Sequence, residues 1–194
     1  MGMEPAELLT GYFMALADPA YLRAITEQDL EQILQWRNDA RTRKFMFKQE
    51  PIEMHAHKAW SRKVNACDQK FVGIVEAAGL TLGFVQFETN QTSTVADWGF
   101  YKNPDAPRGT GMLIGICALN HAFHTMGLHK VCARVLDFNF PSIAMHKGLG
   151  FIQEGLLRAQ HRLGDLSYDV ICYGLLSHEW KASNLSKGNR YEVN

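Results

Sequence analysis

The stretch with the most chemical content is Trp98-Gly-Phe-Tyr-Lys-Asn-Pro-Asp-Ala-Pro-Arg-Gly-Thr-Gly111, a strand-like run that ends in a Pro/Gly loop and opens into a long apolar helix. Such a loop aims backbone N–H groups at an anion, at the positive end of the helix dipole. Gly109 and Gly111 let the backbone approach a pyrophosphate, and Arg108 adds charge at the rim. It is not a P-loop, because no Gly-Lys-Ser/Thr follows, and Gly115 comes one residue late for G-x-G-x-x-G.

A second group is cationic. Arg37, Arg41, Lys44 and Lys48 recur at steps of four, three and four, which would place them on one face if a single helical phase continued. That face is either simply solvated or a patch that meets the phosphates of a nucleotide-linked substrate. Phe45, Met46 and Phe47 beside it form either a sugar or uracil surface or an ordinary core contact. Cys117, His121 and His124 fall at helical spacing but inside an apolar helix and without a fourth ligand, so no metal site is expected. His55 and His57 are expected at the surface.

The elements that must position these groups follow from periodicity. Thr26 is a plausible N-cap for a helix running to about Asn38, and a second helix covers Met54 to Asn65. From Lys70 the period changes to that of strands: Phe71–Glu76, Leu82–Thr89 and Val95–Tyr101 form an antiparallel meander. A helix from Thr110 to Met126, a strand from Lys130 to Leu136, and a short helix after Asn139 and Pro141 come next. Strands at Phe151–Arg158 and Leu166–Leu176 complete the order. This pattern implies an α/β (α+β) fold, a mixed, mostly antiparallel sheet with helices on both faces. Residues 21–180 read as one domain, 1–20 as an N-terminal extension and 181–194 as a polar, disordered tail.

Composition sets the outer bounds. With 46% apolar and 21% charged residues, the chain is neither a disordered acidic tail nor a collagen-like or coiled-coil repeat. Twenty basic and twenty acidic side chains give zero net charge, which argues against a nucleic-acid partner held by counterion release. The longest apolar run, Met112 to Leu119, falls short of the roughly 20 residues that cross a bilayer, so no membrane partner is expected. The apolar stretch Leu8 to Ala17 is preceded only by acidic charges, which favours a packed helix over a secretory signal. Cys67, Cys117, Cys132 and Cys172 are widely separated and read as reduced thiols of a cytoplasmic protein.

Arg108-Gly109-Thr110-Gly111 after a strand, then Asn139-x-x-Ser142, then Gly148-Leu-Gly150-Phe151, resembles the pattern of the GCN5-related N-acetyltransferases (GNAT) over roughly Tyr21 to Trp180. The resemblance implies acetyl-coenzyme A as co-substrate, with no metal. It implies that the amides of Arg108, Gly109, Thr110, Gly111 and Met112 hold the pyrophosphate. The strand edge at Phe100, Tyr101 and Lys102 would pair with the pantetheine arm, and Asn139 and Ser142 would contact the same arm. Leu113 departs from the family's usual small residue. Trp36-Arg37-Asn38 together with Gly99-Phe-Tyr-Lys-Asn-Pro-Asp-Ala-Pro more narrowly resembles the N-acetyltransferases of pseudaminic acid biosynthesis, which act in flagellin and surface-glycan synthesis. That implies a UDP-linked 4-amino sugar as acceptor, with Arg37, Asn38, Arg41, Lys44, Lys48 and Trp98 as its binding set. Acetyltransferases of protein N-termini and a non-catalytic acyl-coenzyme A sensor are the alternatives, and a homodimer is left open.

An amine attacks a thioester as the free base. For a lysine-like amine, deprotonation at pH 7 costs about 5 kcal/mol, which a positioned carboxylate can relieve. Asp97 is the first candidate and Glu88 the second, each with a strand-end ion pair as its alternative. Where the family often has a tyrosine, five residues before the Phe of its Gly-Phe motif, this chain has His146. It is expected either as the acid that protonates the leaving thiolate, about a quarter charged at pH 7, or as a packing residue.

Overall fold

The computed structural model describes residues 20–89, 94–183 and 185–186. The expectations for 1–20 and most of 181–194 lie outside them. Seven strands form one sheet: β1 (Tyr21–Ala24), β2 (Lys70–Ala77), β3 (Leu80–Thr89), β4 (Val95–Lys102), β5 (Lys130–Leu136), β6 (Ile152–Leu163) and β7 (Leu166–Leu176). Their spatial order is β1-β2-β3-β4-β5-β7-β6, and every neighbouring pair is antiparallel except β4 and β5. This is the mixed, mostly antiparallel α/β architecture that the motifs imply.

Helices cover both faces. On one, α1 (Leu30–Asn38) and α3 (Met54–Asn65) bury Ile33 and Val64 against Val72, Ile74 and Phe84 of the sheet. On the other, α4 (Thr110–Asn120) and α5 (Phe140–Gly148) bury Ile114, Cys117, Met145 and Leu149 against Val85, Phe87, Trp98 and Tyr173. A short α2 (Ala40–Arg43) follows α1, and α6 (Ser177–Ala182) follows β7. α1 starts where expected: after Thr26, one 3₁₀ turn carries Asp29, whose carboxylate accepts from the Thr26 amide and hydroxyl at 2.6 and 2.9 Å. Arg23 bridges that carboxylate to Glu76 on β2, at 2.8 and 2.7 Å, and so ties the first helix to the sheet edge.

Three elements differ from expectation. The helix expected to Met126 is α-helical only to Asn120, and His121–Thr125 widens into a π-turn. The buried Asn120 carbonyl accepts from the Trp180 indole at 2.9 Å, a tertiary anchor that no helical periodicity announces. β6 runs to Leu163 rather than Arg158, and β1 is a strand that the short sequence YLRA does not betray. Among the described residues no helix is long and apolar enough to cross a membrane.

Candidate active site

The site is made by two strands that part. β4 and β5 share three register pairs, Val95–Lys130, Ala96–Val131 and Asp97–Cys132. β4 then continues through Lys102 bonded to β3 alone, and β5 continues through Leu136 bonded to β7. The result is a wedge with its vertex at Asp97. Along one wall, Trp98 to Lys102 present a strand edge to which an extended ligand can add as a further strand.

Beyond the open end lies the loop into α4. Gly109 adopts φ 93°, a left-handed value that favours glycine, and caps the helix. The amides of Arg108, Gly109 and Gly111 make no backbone hydrogen bond among the described residues. Thr110 is 1% exposed and its hydroxyl has no partner. Donors without acceptors at a helix N-terminus suit a diphosphate. Asn139, expected on the pantetheine arm, caps α5: its Oδ1 accepts from the Ser142 amide at 3.3 Å. Leu113 packs against the α4-side core.

His146 is the main departure. It is 3% exposed, stacked on Tyr173 with ring centroids 5.5 Å apart and bordered by Trp98, Phe100 and Phe151. Burial pushes its pKa down to about 4, against the opposing pull of the Ser142 carbonyl. It is therefore neutral at pH 7, not a quarter charged. Trp98, expected on the acceptor surface, is 7% exposed in the same aromatic cluster, because strand alternation turns it to the α4 and α5 side. The Trp98 indole N–H, His146 Nε2 and Tyr173 hydroxyl have no partner in this cluster.

On the opposite face of β4 the carboxylates separate into two roles. Asp97 is exposed at the vertex, and its carboxylate makes no hydrogen bond or ion pair among the described residues. Burial raises the pKa of the neighbouring Cys132 thiol, and Asp97 adds to that rise. Glu88 lies opposite it in register, but pairs with Lys70 at 3.0 Å. Next along β4, Gly99 leaves the space beside Asp97 free of a side chain, up to the Gln86 amide.

The cations do not share one helical face. α1 ends at Asn38, and Asp39 accepts from the Arg41 amide at 2.7 Å to start α2 in a new direction. Arg41 pairs with Asp39 and with Asp105 of the loop before α4, at 2.8 and 2.9 Å. Lys44 lies 4.9 Å over the Phe45 ring, and Lys48 is exposed. Asn38 clamps Ile52 by both its amide and its carbonyl, each at 2.8 Å, which closes the segment 39–52 rather than offering a ligand contact. Arg37 donates to the Lys48 carbonyl, and Arg43, which the spacing missed, donates to the Gln49 carbonyl at 3.0 Å. Each of these arginines keeps a buried nitrogen without a partner, Arg37 Nη1 and Arg43 Nε. Burial lowers the Arg37 pKa, Tyr101 opposes that shift, Arg43 adds to it, and Glu50 opposes it. Two cations thus converge on one neutral peptide segment. Phe45 and Phe47 reach across to Phe138 and His161, at 6.5 and 5.3 Å, and rim the mouth of the wedge.

Other expectations resolve simply. The four cysteines are free thiols. The Cys117 thiol donates to the Ala20 carbonyl at 3.6 Å and the His121 ring lies tilted against Phe71, so those two are engaged in packing. His57, expected at the surface, is 5% exposed and stacked on Trp60, while His55 is exposed.

Comparison with known proteins places this geometry. The family model described as acetyltransferase (GNAT) domain matches residues 20–152. The SPbeta prophage-derived uncharacterized N-acetyltransferase YokL of Bacillus subtilis (strain 168) is 33% identical over 90 residues, 45% of this chain. The chain spans about half the length of that relative, 51%. The solved spermidine N-acetyltransferase from Vibrio cholerae, in complex with CoA and spermine, superposes with a TM-score of 0.78. The identity is 23%, over 84% of this chain and 98% of that one. A manganese complex of the Vibrio cholerae spermidine/spermine N-acetyltransferase gives 0.71 at 22% identity, over 85% and 98%. At such identities the likeness is one of fold.

Proposed function

The chain belongs to the GCN5-related N-acetyltransferase family, and from that premise we propose that it moves the acetyl group of acetyl-coenzyme A to the 4-amino group of a UDP-linked amino-dideoxy sugar. The observation that carries the reading is the wedge: an unpaired strand edge and amide-lined loop on one side of the sheet, and the unpartnered Asp97 at the vertex on the other. Acetyl-coenzyme A supplies the acetyl thioester. In this reading the edge of Phe100, Tyr101 and Lys102 orients the pantetheine arm. The amides of Arg108, Gly109 and Gly111 hold the pyrophosphate. Asp97 accepts the proton that the amine loses, directly or through a water. Neutral His146 donates its Nδ1 proton to the Ser142 carbonyl and so does not supply one to the thiolate.

The acceptor assignment rests on charge. Arg37 and Arg43 converge with Tyr101 on the Asp97 side of the sheet, an arrangement that repels a polyamine and suits an acceptor carrying phosphate. The aromatic rim of Phe45 and Phe47 suits a nucleobase or sugar face. A homodimer, if formed, has a template in the exposed edge of β6, where Ile152 and Leu156 stay open to solvent.

The test is thiol release with a panel of acceptors: UDP-4-amino sugars, N-terminal peptides and spermidine. Turnover is expected with the UDP-linked amines. In that assay Asp97→Asn should lower kcat at least about 100-fold, within the usual range for a lost general base, with the KM for acetyl-coenzyme A retained. Faster turnover of spermidine or a peptide would overturn the acceptor, and no thiol release with any amine would overturn the enzyme reading in favour of a sensor.

A further inference from the structure

Lys102, the last residue of β4, commits its charge to the backbone of its own loop. Its ammonium donates to three backbone carbonyls of the loop that follows: Asn103 at 3.1 Å, Pro104 at 3.3 Å and Ala106 at 2.6 Å. We infer that Lys102 is a positioning residue for the pyrophosphate of acetyl-coenzyme A, acting through the loop it gathers and not on the phosphate itself. This rests on the acetyl-coenzyme A reading above.

The direction of the peptide units sets the charge around the loop. Two of the three carbonyls belong to peptides that end in Pro104 and Pro107, which have no N–H. The third peptide's N–H, that of Asp105, donates to Asn103 Oδ1 at 3.0 Å. The Ala106 N–H is also taken up within the loop, donating to the Asn103 carbonyl at 3.0 Å, so the backbone from Asn103 to Pro107 presents mainly carbonyl oxygens. Left facing the ligand, those dipoles would repel a diphosphate. Lys102 collects them at one point behind the loop, which leaves the next peptides, at Arg108, Gly109 and Gly111, to turn their N–H groups outward at the start of α4.

An ammonium suits this task. It is compact and its three donors diverge from one centre, whereas a guanidinium presents its donors in a planar fork that cannot serve three carbonyls set around a point. Burial lowers the Lys102 pKa, with Arg41 adding to the effect and Asp105 opposing it, as expected of a cation enclosed by the loop and not free in solvent. The outer side of the loop is held separately, by Asp105 on Arg41.

The test compares the wild-type protein with Lys102→Met and Lys102→Arg by calorimetric titration with coenzyme A at low and high salt, and by steady-state kinetics. Both variants should raise the Kd for coenzyme A and the KM for acetyl-coenzyme A about tenfold, a modest loss on the affinity scale, with the loss falling more on KM than on kcat. The salt dependence of binding should keep its wild-type slope, because no phosphate contact is lost. Rescue by arginine with a shallower slope in Lys102→Met would mean direct phosphate binding and overturn the inference, as would unchanged affinity in both variants. Failure of the wild-type protein to bind coenzyme A would instead overturn the co-substrate reading.

Discussion

Nδ1 of His146 lies 2.7 Å from the Ser142 carbonyl oxygen, and because a carbonyl can only accept, that contact places the proton on Nδ1 and leaves Nε2 as an acceptor. The residue type at this position suggests an acid, but the surroundings forbid one at neutral pH. With its pKa pushed down to about 4, His146 does not titrate between pH 6 and 8. The kcat–pH profiles of the wild type and His146→Phe should therefore have the same shape over that range, whatever their relative height. A difference between them that inflects near pH 6.5 would show that His146 takes up a proton during turnover. Asp97 and Glu88 show the complementary lesson, since they face each other in register on neighbouring strands and Lys70 reaches only Glu88.

At the scale of elements, the wedge depends on how closely α4 approaches β3 and β4. A Cβ at Gly83 would lie 2.6 Å from Ile114 Cδ1 of α4 and 2.7 Å from the Tyr101 carbonyl of β4. The Ile114 side chain can give way, but the Tyr101 backbone is held in register and cannot. Gly83→Ala should destabilise the protein by about 1–3 kcal/mol, as overpacked sites do, and should weaken acetyl-coenzyme A binding, because α4 carries the loop amides. Denaturant unfolding and the KM for acetyl-coenzyme A check the two halves of this expectation, and an unchanged midpoint would refute the close approach. The elements themselves were largely legible: Met54–Asn65, Lys130–Leu136 and Leu166–Leu176 have the bounds that periodicity assigns. What was not legible lies at breaks of phase. The Asp39 cap redirects the chain after Asn38 and scatters the row of cations, and the Asn120–Trp180 contact accompanies the change from α to π.

For the whole molecule, acid stability follows from groups whose proton affinities folding changes. Asp29, held by Arg23 and the Thr26 donors, has its pKa lowered from 3.8 to about 2. Its contribution is present above about pH 4 and is lost as pH falls toward 2, with a size of up to about 2 kcal/mol. His146 is lowered from 6.5 to about 4, and burial also lowers His57 and His121. Below pH 6.5 the unfolded chain binds protons that the folded chain refuses, so stability declines as pH falls from 6.5 toward 4. The urea midpoint should drop in these two stages. His146→Phe should flatten the first and Asp29→Asn the second. A midpoint constant from pH 7 to 4 would show that the buried imidazoles are not held neutral.

The sequence by itself determined the order of elements, the sheet class, the Pro/Gly loop that opens α4 and the family, because these depend on local signals: alternation, helical period, Pro and Gly. It also marked the loop after β4 and the carboxylate at Asp97 as candidates, since each depends on where a strand ends. Only the tertiary structure decided what the side chains there can do. Whether His146 carries a proton depends on aromatic rings from β4 and β7, and whether Glu88 is free depends on a lysine of β2. Which arginines converge depends on a turn between two helices, and the direction of the Lys102 charge depends on the carbonyls that the following loop gathers around it. Charge, burial and hydrogen bonding are properties of surroundings, and residues distant in sequence supply the surroundings.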